Sequence, residues 1–143
     1  MTTKVVEEKL RWLQTFICLY QKASPLVRHI TNLEKLRAGE LPVGPTTLVV
    51  SNLTLRPVLA ALDRMHKPRE KGLAVIHKEF KIALLNCIKA AELAERYIES
   101  EGHSGERQVL LNMVINAIVL AQDYIESVSK RLAPYLSEST VGD

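Results

Sequence analysis

Apolar residues in the first third of the chain recur in steps of three and four from Val6 onward. This period places them on one face and predicts a long amphipathic helix. Ser24 and Pro25 interrupt the series, so Pro25 either kinks one continuous helix or begins a second helix capped by Ser24. The apolar phase carries through the proline, which favours the kink. Ala38 and Gly39 are predicted to end the helical region, because glycine readily adopts the left-handed cap conformation.

A stretch without helical periodicity follows over residues 39–53. Pro42, Gly44 and Pro45 lie close together there and disfavour a helix. We therefore predict an irregular connector over 39–53, in which residues 46–50 could form a short extended piece. A lone strand cannot make a sheet, so this piece would leave the fold class unchanged.

Helical periodicity returns in a short segment over residues 54–66 and in a long segment that begins near Pro68. The short segment ends where Lys67 and Pro68 break the pattern, and Pro68 suits the first turn of the next helix. In the long segment one apolar residue recurs every seven positions: Leu73, Phe80, Cys87 and Ala94. Flanking apolar positions widen this stripe enough to face a core made by several helices.

The last predicted helix follows Gly102, which ends the long segment, and has Ser104 as its N-cap. The short connection predicts an antiparallel hairpin with the preceding helix. Up to about residue 124, apolar side chains cover most of the helix circumference. They form a core stripe and, beside it, a second stripe: Leu110, Met113, Ala117, Leu120 and Tyr124. A helix that is apolar nearly all round has to be buried nearly all round, so the second stripe is a predicted interface.

These elements predict an all-α fold, an up-and-down bundle of four to five helices with a C-terminal antiparallel helical hairpin. The chain of 143 residues has the common size of one domain. We therefore predict a single helical-bundle domain over 1–143, with a disordered tail over 137–143. Hydrophobic residues make up 47% of the chain and aromatic residues only 5%, which suits helix packing on a core of Leu, Ile, Val and Ala.

Charge, cysteine content and the lack of targeting segments bear on the binding partners and the cellular compartment of the protein. The formal net charge is +3, whereas a dedicated nucleic-acid binder usually carries a denser basic patch. Cys18 and Cys87 are too isolated for a zinc site or a disulfide framework, so both are predicted to be small buried hydrophobes in a reducing compartment. The charged N-terminus lacks the apolar centre of a signal peptide. The most apolar run, residues 109–121, is shorter than the about 20 residues of a membrane span, so we predict a cytoplasmic protein without one.

No motif in the sequence predicts catalysis. Residues 102–106 (GHSGE) match the G-x-S-x-G nucleophile elbow only in part, since Glu106 replaces the last glycine and a helix precedes the motif instead of a strand. The histidines are scattered, and the sequence contains neither a Glu-x-x-His pair nor a phosphate-binding loop. The sequence therefore predicts no catalytic residue, no metal ligand and no cofactor, and it favours a non-catalytic protein.

Two groups of residues are candidate binding sites. Small side chains in the middle of the long helix could leave a ligand pocket near a histidine at the edge of the apolar stripe: His77, Ala83, Cys87 and Ala91. The alternative is that His77 only forms a hydrogen bond at the margin of the core. Basic residues around Pro68 form a candidate anion patch: Arg64, Lys67, Arg69 and Lys71. Nearby acidic residues cancel part of this charge, so an ordinary charged surface is the alternative.

The second apolar stripe of the last helix decides the functional prediction. The 54–66 helix is too short to cover it. Either residues 42–53, with Leu48, Val49, Val50 and Leu53, fold back over it, or a second copy of the chain or another protein packs there. We predict a protein-interaction or scaffold module that forms a homodimer through its last two helices. The alternative is a small-molecule or lipid-binding regulatory bundle with a pocket between helices. Anion or nucleic-acid binding is the less favoured hypothesis.

Overall fold

The chain forms five helices and no strand within residues 2–44, 46–100 and 104–141, which are the residues that the computed structural model describes. The helices are α1 (Thr2–Ile30), α2 (Leu33–Arg37), α3 (Thr47–Arg64), α4 (Lys71–Glu99) and α5 (Ser104–Val141). The predicted all-α fold is therefore confirmed. Packing is most extensive between α4 and α5, which form the predicted hairpin.

The four long helices alternate in direction, which makes an up-and-down bundle. Trp12 lies beside His77 and, one turn later along both helices, Phe16 lies beside Phe80. Consequently α1 and α4 run in the same direction. Both α3 and α5 run antiparallel to α4. For α3 this follows from the ion pairs of Asp63 with Lys81 and of Arg56 with Glu92. For α5 it follows from the contacts of Tyr135 with Glu70 and of Arg107 with Tyr97. The apolar stripes of all four helices face one common core.

The first helix continues through Pro25, so the interpretation as one continuous helix is confirmed. Proline has no N–H, and the carbonyl of Gln21, four residues earlier, therefore lacks its helical donor. The exposed position of Pro25 lets water reach this carbonyl, which makes the missing hydrogen bond tolerable.

The helical region after α1 is divided, in contrast to the prediction of one element up to Ala38. The first helix ends at Ile30, and Asn32 caps the short α2 by accepting a hydrogen bond from the Lys35 backbone N–H (3.2 Å). Gly39 follows α2 with a φ of 82°. This is the left-handed conformation predicted for it, which glycine adopts without steric cost.

The predicted irregular connector over 39–53 is wrong in its second half, because α3 begins at Thr47. Residues 47–50 are helical, so the extended piece is also wrong. The buried residues of α3 recur at helical spacing: Thr47, Ser51, Leu55, Val58 and Leu62. Two of them are small and polar, which hid the period from a search for apolar residues. With 18 residues, α3 is about 27 Å long and covers more of the bundle than predicted.

The loop between α3 and α4 also differs from the prediction. Pro68 lies in the loop and not in the first turn of a helix, since α4 begins at Lys71 with Glu70 as its N-cap residue. Trp12 ties this loop to α1, because its indole Nε1–H donates to the carbonyl oxygen of His66 (3.1 Å).

Both ends of α5 differ from the prediction. Residues 101–103, with the predicted helix end at Gly102, lie outside the described residues. Ser104 is the first residue of α5 and not a cap before it. At the other end, α5 continues through Pro134 to Val141, where the sequence predicts a disordered tail from residue 137. Residues 142 and 143 lie outside the described residues.

Aromatic side chains concentrate where α1 meets α4. The ring centroids of Phe16 and Phe80 are 5.2 Å apart in an edge-to-face arrangement, and Trp12 stacks on Phe16 at 5.1 Å. Tyr20 lies 5.5 Å from Phe80. Both phenylalanines and the only tryptophan of the chain therefore belong to the core. The prediction of a mostly aliphatic core holds for the remainder and misses this cluster.

Gly72, in the first turn of α4, lies directly beneath the hydroxyl of Tyr135 on α5. A Cβ atom at position 72 would collide with this hydroxyl, which donates a hydrogen bond to Glu70 Oε1 (2.6 Å). We expect Gly72→Ala to gain up to about 1 kcal/mol in helix propensity and to lose about 1 kcal/mol when the displaced tyrosine releases Glu70. The two effects nearly cancel.

Removal of the Tyr135 hydroxyl should make the stabilisation from the higher helix propensity of alanine measurable. In a Tyr135→Phe background, Gly72→Ala is expected to raise the free energy of unfolding by up to about 1 kcal/mol. Urea denaturation of the wild type, both single variants and the double variant measures this coupling. Strictly additive effects would show that the hydroxyl does not restrict position 72.

Candidate functional site

One side of the N-terminal half of α5 faces solvent and carries large apolar residues. We call it the outer face; its members are Val109, Asn112, Met113, Asn116, Val119 and Leu120. The four apolar side chains are 58, 39, 39 and 46% exposed in chain order, and both asparagines are exposed as well. Positions 109, 113, 116 and 120 share one side of a helix with 3.6 residues per turn.

The predicted interface stripe divides between this outer face and the core. Leu110 and Ala117 are buried within the chain, so a partner cannot reach them. Met113 and Leu120 belong to the outer face, and Tyr124 is half-buried against the core. The accessible part of the predicted interface is therefore Met113 and Leu120, joined by neighbours that the sequence analysis did not include.

Charge is absent from the outer face itself, and Glu106 and Asp123 lie just beyond its two ends. Residues 108–122 include no Asp, Glu, Lys or Arg. The Asn112 side chain accepts a hydrogen bond from the Gln108 amide (3.2 Å). The Asn116 side chain has no partner among the residues that the structure describes. Asn116 therefore offers unused donors and acceptors in the middle of an apolar surface.

A second group of exposed apolar residues lies on the first half of α3: Val49, Val50 and Leu53. Leu53 is the most exposed of them at 74%. One turn further along, Arg56 forms an exposed ion pair with Glu92 of α4. This group is smaller than the outer face and lies beside charge.

A long part of α5, Gly105–Ser137, is apolar and long enough to cross a membrane by length and composition. Of its most apolar window, 33% is buried within the chain. The buried side is the one that closes the core against α4. Core helices of soluble proteins meet the same criterion, so it does not decide location, and the cytoplasm remains a prediction.

The predicted ligand pocket in the middle of α4 coincides with closely packed core. Ala83, Cys87 and Ala91 are at most 1% exposed, and they line neither of the two clefts described below. His77 is half-buried, and its Nε2–H donates to the carbonyl oxygen of Leu62 (2.9 Å). This is the hydrogen bond at the core margin that the sequence analysis gave as the alternative.

A cleft of about 880 Å³ opens between the first half of α1, the end of α3 and the loop that follows. Three members of the predicted anion patch line it, namely Arg64, Lys67 and Arg69. Lys71 does not line it. Arg11 and Lys9 of α1 add two further cations, which the sequence analysis missed because only the fold brings α1 to this place.

The lining of this basic cleft combines charged and apolar side chains. Five lysine and arginine side chains face two carboxylates, Glu8 and Glu70. Trp12, Ala61, Met65, Pro68 and Leu73 supply the apolar lining. A smaller cleft of about 400 Å³ lies between α1 and α5 beside Pro25, with Arg28 as its only lysine or arginine.

One of the two carboxylates of the basic cleft is already engaged. The Tyr135 hydroxyl donates to Glu70 Oε1 (2.6 Å), and Lys9 Nζ lies 3.0 Å from Glu70 Oε2. These contacts, with Tyr135 making the larger contribution, hold the pKa of Glu70 below its ordinary value. Glu70 therefore stays ionised and neutralises Lys9. The positive charges of the other lysine and arginine side chains in the cleft are not neutralised by Glu70.

The two cysteines differ in environment, in contrast to the prediction that both are buried. Cys18 is exposed on α1, so that prediction is wrong for it. Cys87 is buried in the core, and burial raises the pKa of its thiol to about 12. A thiol with this pKa remains protonated and unreactive at neutral pH.

Across residues 2–44, 46–100 and 104–141, no group of three or more His, Cys, Asp or Glu side chains is arranged to hold a metal ion. Comparison with protein-family models, with curated proteins and with solved structures finds no match to this chain. The outer face of α5 and the basic cleft are therefore the features from which function has to be argued.

Proposed function

We propose that this chain is a non-catalytic protein-interaction module that forms a two-fold homodimer through the outer face of α5. The observation that carries the proposal is the exposure of Val109, Met113 and Leu120 along one side of an uncharged helical stretch. Monomeric proteins rarely leave a contiguous apolar surface of this kind in water. Its burial is favourable by about 25 cal/mol for each Å² removed from water.

The absence of charge favours a second copy of the chain as the partner. In a two-fold interface each subunit contributes the same surface patch, so a charged patch would meet its own sign. Residues 108–122 carry no charge. The members of two outer faces can therefore pack together without the removal of a charge from water.

Asn116 adds a reason for a dimer with one defined register. It lies between Met113 and Leu120 along the outer face, and its amide carries both donors and acceptors. A two-fold axis near Asn116 would let this amide pair with the same residue of the second copy. Buried asparagine pairs specify register and dimeric state in coiled coils, at some cost in stability.

Size-exclusion chromatography with light scattering at micromolar concentration tests the proposal. The wild type is expected at about 32 kDa, twice the 16.1 kDa of the chain. Leu120→Lys places two like charges in the interface and is expected to shift the mass to that of the single chain, because each buried unpaired charge costs several kcal/mol. Circular dichroism should show an unchanged helix content, since Leu120 is exposed in the single chain.

Leu53→Lys is the matched control, because it makes the same substitution at the more exposed leucine of α3. This variant is expected to remain a dimer. Two results would contradict the proposal. One is a wild type that elutes as a monomer, and the other is a dimer that Leu53→Lys dissociates while Leu120→Lys does not.

A further inference from the structure

The basic cleft contains positive charge that the chain itself leaves unpaired. Arg11 extends from α1, Arg64 from the last turn of α3, and Lys67 and Arg69 from the loop before α4. None of these four side chains has an ion-pair or hydrogen-bond partner within the part of the chain that the structure describes. Like charges held around one cavity repel each other, and a bound anion would relieve this repulsion.

We infer that the basic cleft binds a phosphate monoester that carries an apolar group. The inference is independent of the proposed dimer, because no residue of the outer face lines the cleft. The cationic residues of the cleft support the phosphate part of this ligand, and the apolar lining supports its apolar part.

The cationic residues favour phosphate over a singly charged anion. A phosphate monoester carries nearly two negative charges at neutral pH and has three strong acceptor oxygens. Three of the four unpaired cations are arginines, whose planar guanidinium groups can each donate two parallel hydrogen bonds to a phosphate. They approach from α1, α3 and the loop, so several of them can contact one phosphate from different sides.

The volume and the apolar lining of the cleft indicate a ligand that is larger than a phosphate ion. A site of about 880 Å³ falls in the range of small-molecule sites, which span roughly 300–1,000 Å³. Phosphate alone would leave the apolar lining in contact with water. Ala61, Met65 and Pro68 lie partly exposed in this lining, and an aromatic or aliphatic group attached to the phosphate would cover them.

The shape of the charged region argues against a polynucleotide. Proteins that bind single-stranded nucleic acid usually follow the backbone with a groove that contacts several nucleotides. Here the unpaired cations surround one cleft at one end of the bundle. Glu8 and Glu70 lie in the same lining and would repel a continuous row of phosphates.

Trp12 supplies a direct readout, because it is the only tryptophan of the chain and lines the cleft. Phenyl phosphate, a probe with both required parts, is expected to change the tryptophan fluorescence in a saturable manner at low ionic strength. Inorganic phosphate should bind more weakly, and benzyl alcohol at the same concentration should have no effect. Added salt should weaken the binding of phenyl phosphate, since the contact is electrostatic.

Variants test whether the cations of the cleft are responsible. Arg64→Gln combined with Arg69→Gln is expected to weaken phenyl phosphate binding by about tenfold or more, because hydrogen bonds to charged groups contribute strongly. Lys35→Gln combined with Arg37→Gln makes the same change in net charge on the exposed α2 and should leave binding unchanged. Both pairs lie at the surface, so circular dichroism should show intact folds.

The source of the phosphate is resolved by vesicles of phosphatidylcholine with and without phosphatidic acid, whose headgroup is a phosphate monoester. A fluorescence response to phenyl phosphate supports a soluble ligand. A response only to vesicles that contain phosphatidic acid supports the same chemistry on a lipid. The inference is overturned if neither probe changes the fluorescence, if only single-stranded oligonucleotides do so, or if both pairs of variants weaken binding equally.

Discussion

Replacement of Phe80 by alanine is expected to lower the free energy of unfolding by about 3–5 kcal/mol. Phe80 is fully buried, and its ring centroid lies 5.2 Å from that of Phe16 and 5.5 Å from that of Tyr20. The substitution removes these contacts and leaves a cavity between α1 and α4, which closely packed helices can close only in part. A domain of this size is stable by only about 5–15 kcal/mol, so the loss is a large share of the total.

Urea denaturation followed by far-ultraviolet circular dichroism measures this loss. Leu85→Ala is the matched control on the same helix, because Leu85 is 45% exposed. A change below about 1 kcal/mol is expected for it, as for most surface substitutions. Similar losses for both variants would contradict the assignment of Phe80 to the core and of Leu85 to the surface.

Ile118→Lys is expected to have a comparable or larger effect and to prevent stable folding. Ile118 is fully buried where α5 closes the core. A lysine there would bury an unpaired charge, which costs several kcal/mol, and would also lose the apolar contacts of isoleucine. The sum of the two, roughly 5 kcal/mol or more, approaches the whole stability of a small domain.

The adjacent residue provides a sharp control. Val119 is also aliphatic and β-branched, but it is 39% exposed in the single chain. Val119→Lys can therefore place its ammonium in water within the single chain, at the expense of the proposed dimer and not of the fold. We expect Val119→Lys to keep the helix content and the cooperative thermal transition that Ile118→Lys loses. The reverse outcome would mean that α5 is rotated about its axis relative to the arrangement described above.

The hairpin of α4 and α5 could be predicted because its pattern is complete in the sequence. Leu73, Phe80, Cys87 and Ala94 recur every seven residues, and all four are buried. Uninterrupted apolar periodicity of this length constrains both the type of element and the face that points inward. The continuous course of α1 through Pro25 could be predicted for the same reason.

The first half of α3 could not be predicted from apolar periodicity, because its buried positions there are Thr47 and Ser51. Because Thr47 and Ser51 are polar, a search for regularly spaced hydrophobic residues does not count them as core positions. Valine and threonine, which are common between residues 46 and 54, also favour strands over helices. The helix forms there because packing against the bundle outweighs local preference.

The division of the second apolar stripe of α5 between core and surface could not be predicted from the sequence. Leu110 and Ala117 lie beside Met113 and Leu120 on a stretch that is apolar nearly all round, and periodicity alone does not tell which pair the core takes. The basic cleft shows the same limit. Arg64, Lys67 and Arg69 are neighbours in sequence and were predicted to act together, whereas Arg11 joins them only because α1 packs against α3.

The different surroundings of the two cysteines have a practical consequence. Because the Cys87 thiol is enclosed and Cys18 is open to solvent, a maleimide dye added to the folded chain should attach at one defined position without any cysteine being replaced. Cys18 belongs neither to the outer face nor to the lining of the basic cleft. A donor and an acceptor dye on this residue would therefore report energy transfer between two copies of the chain while leaving both surfaces free.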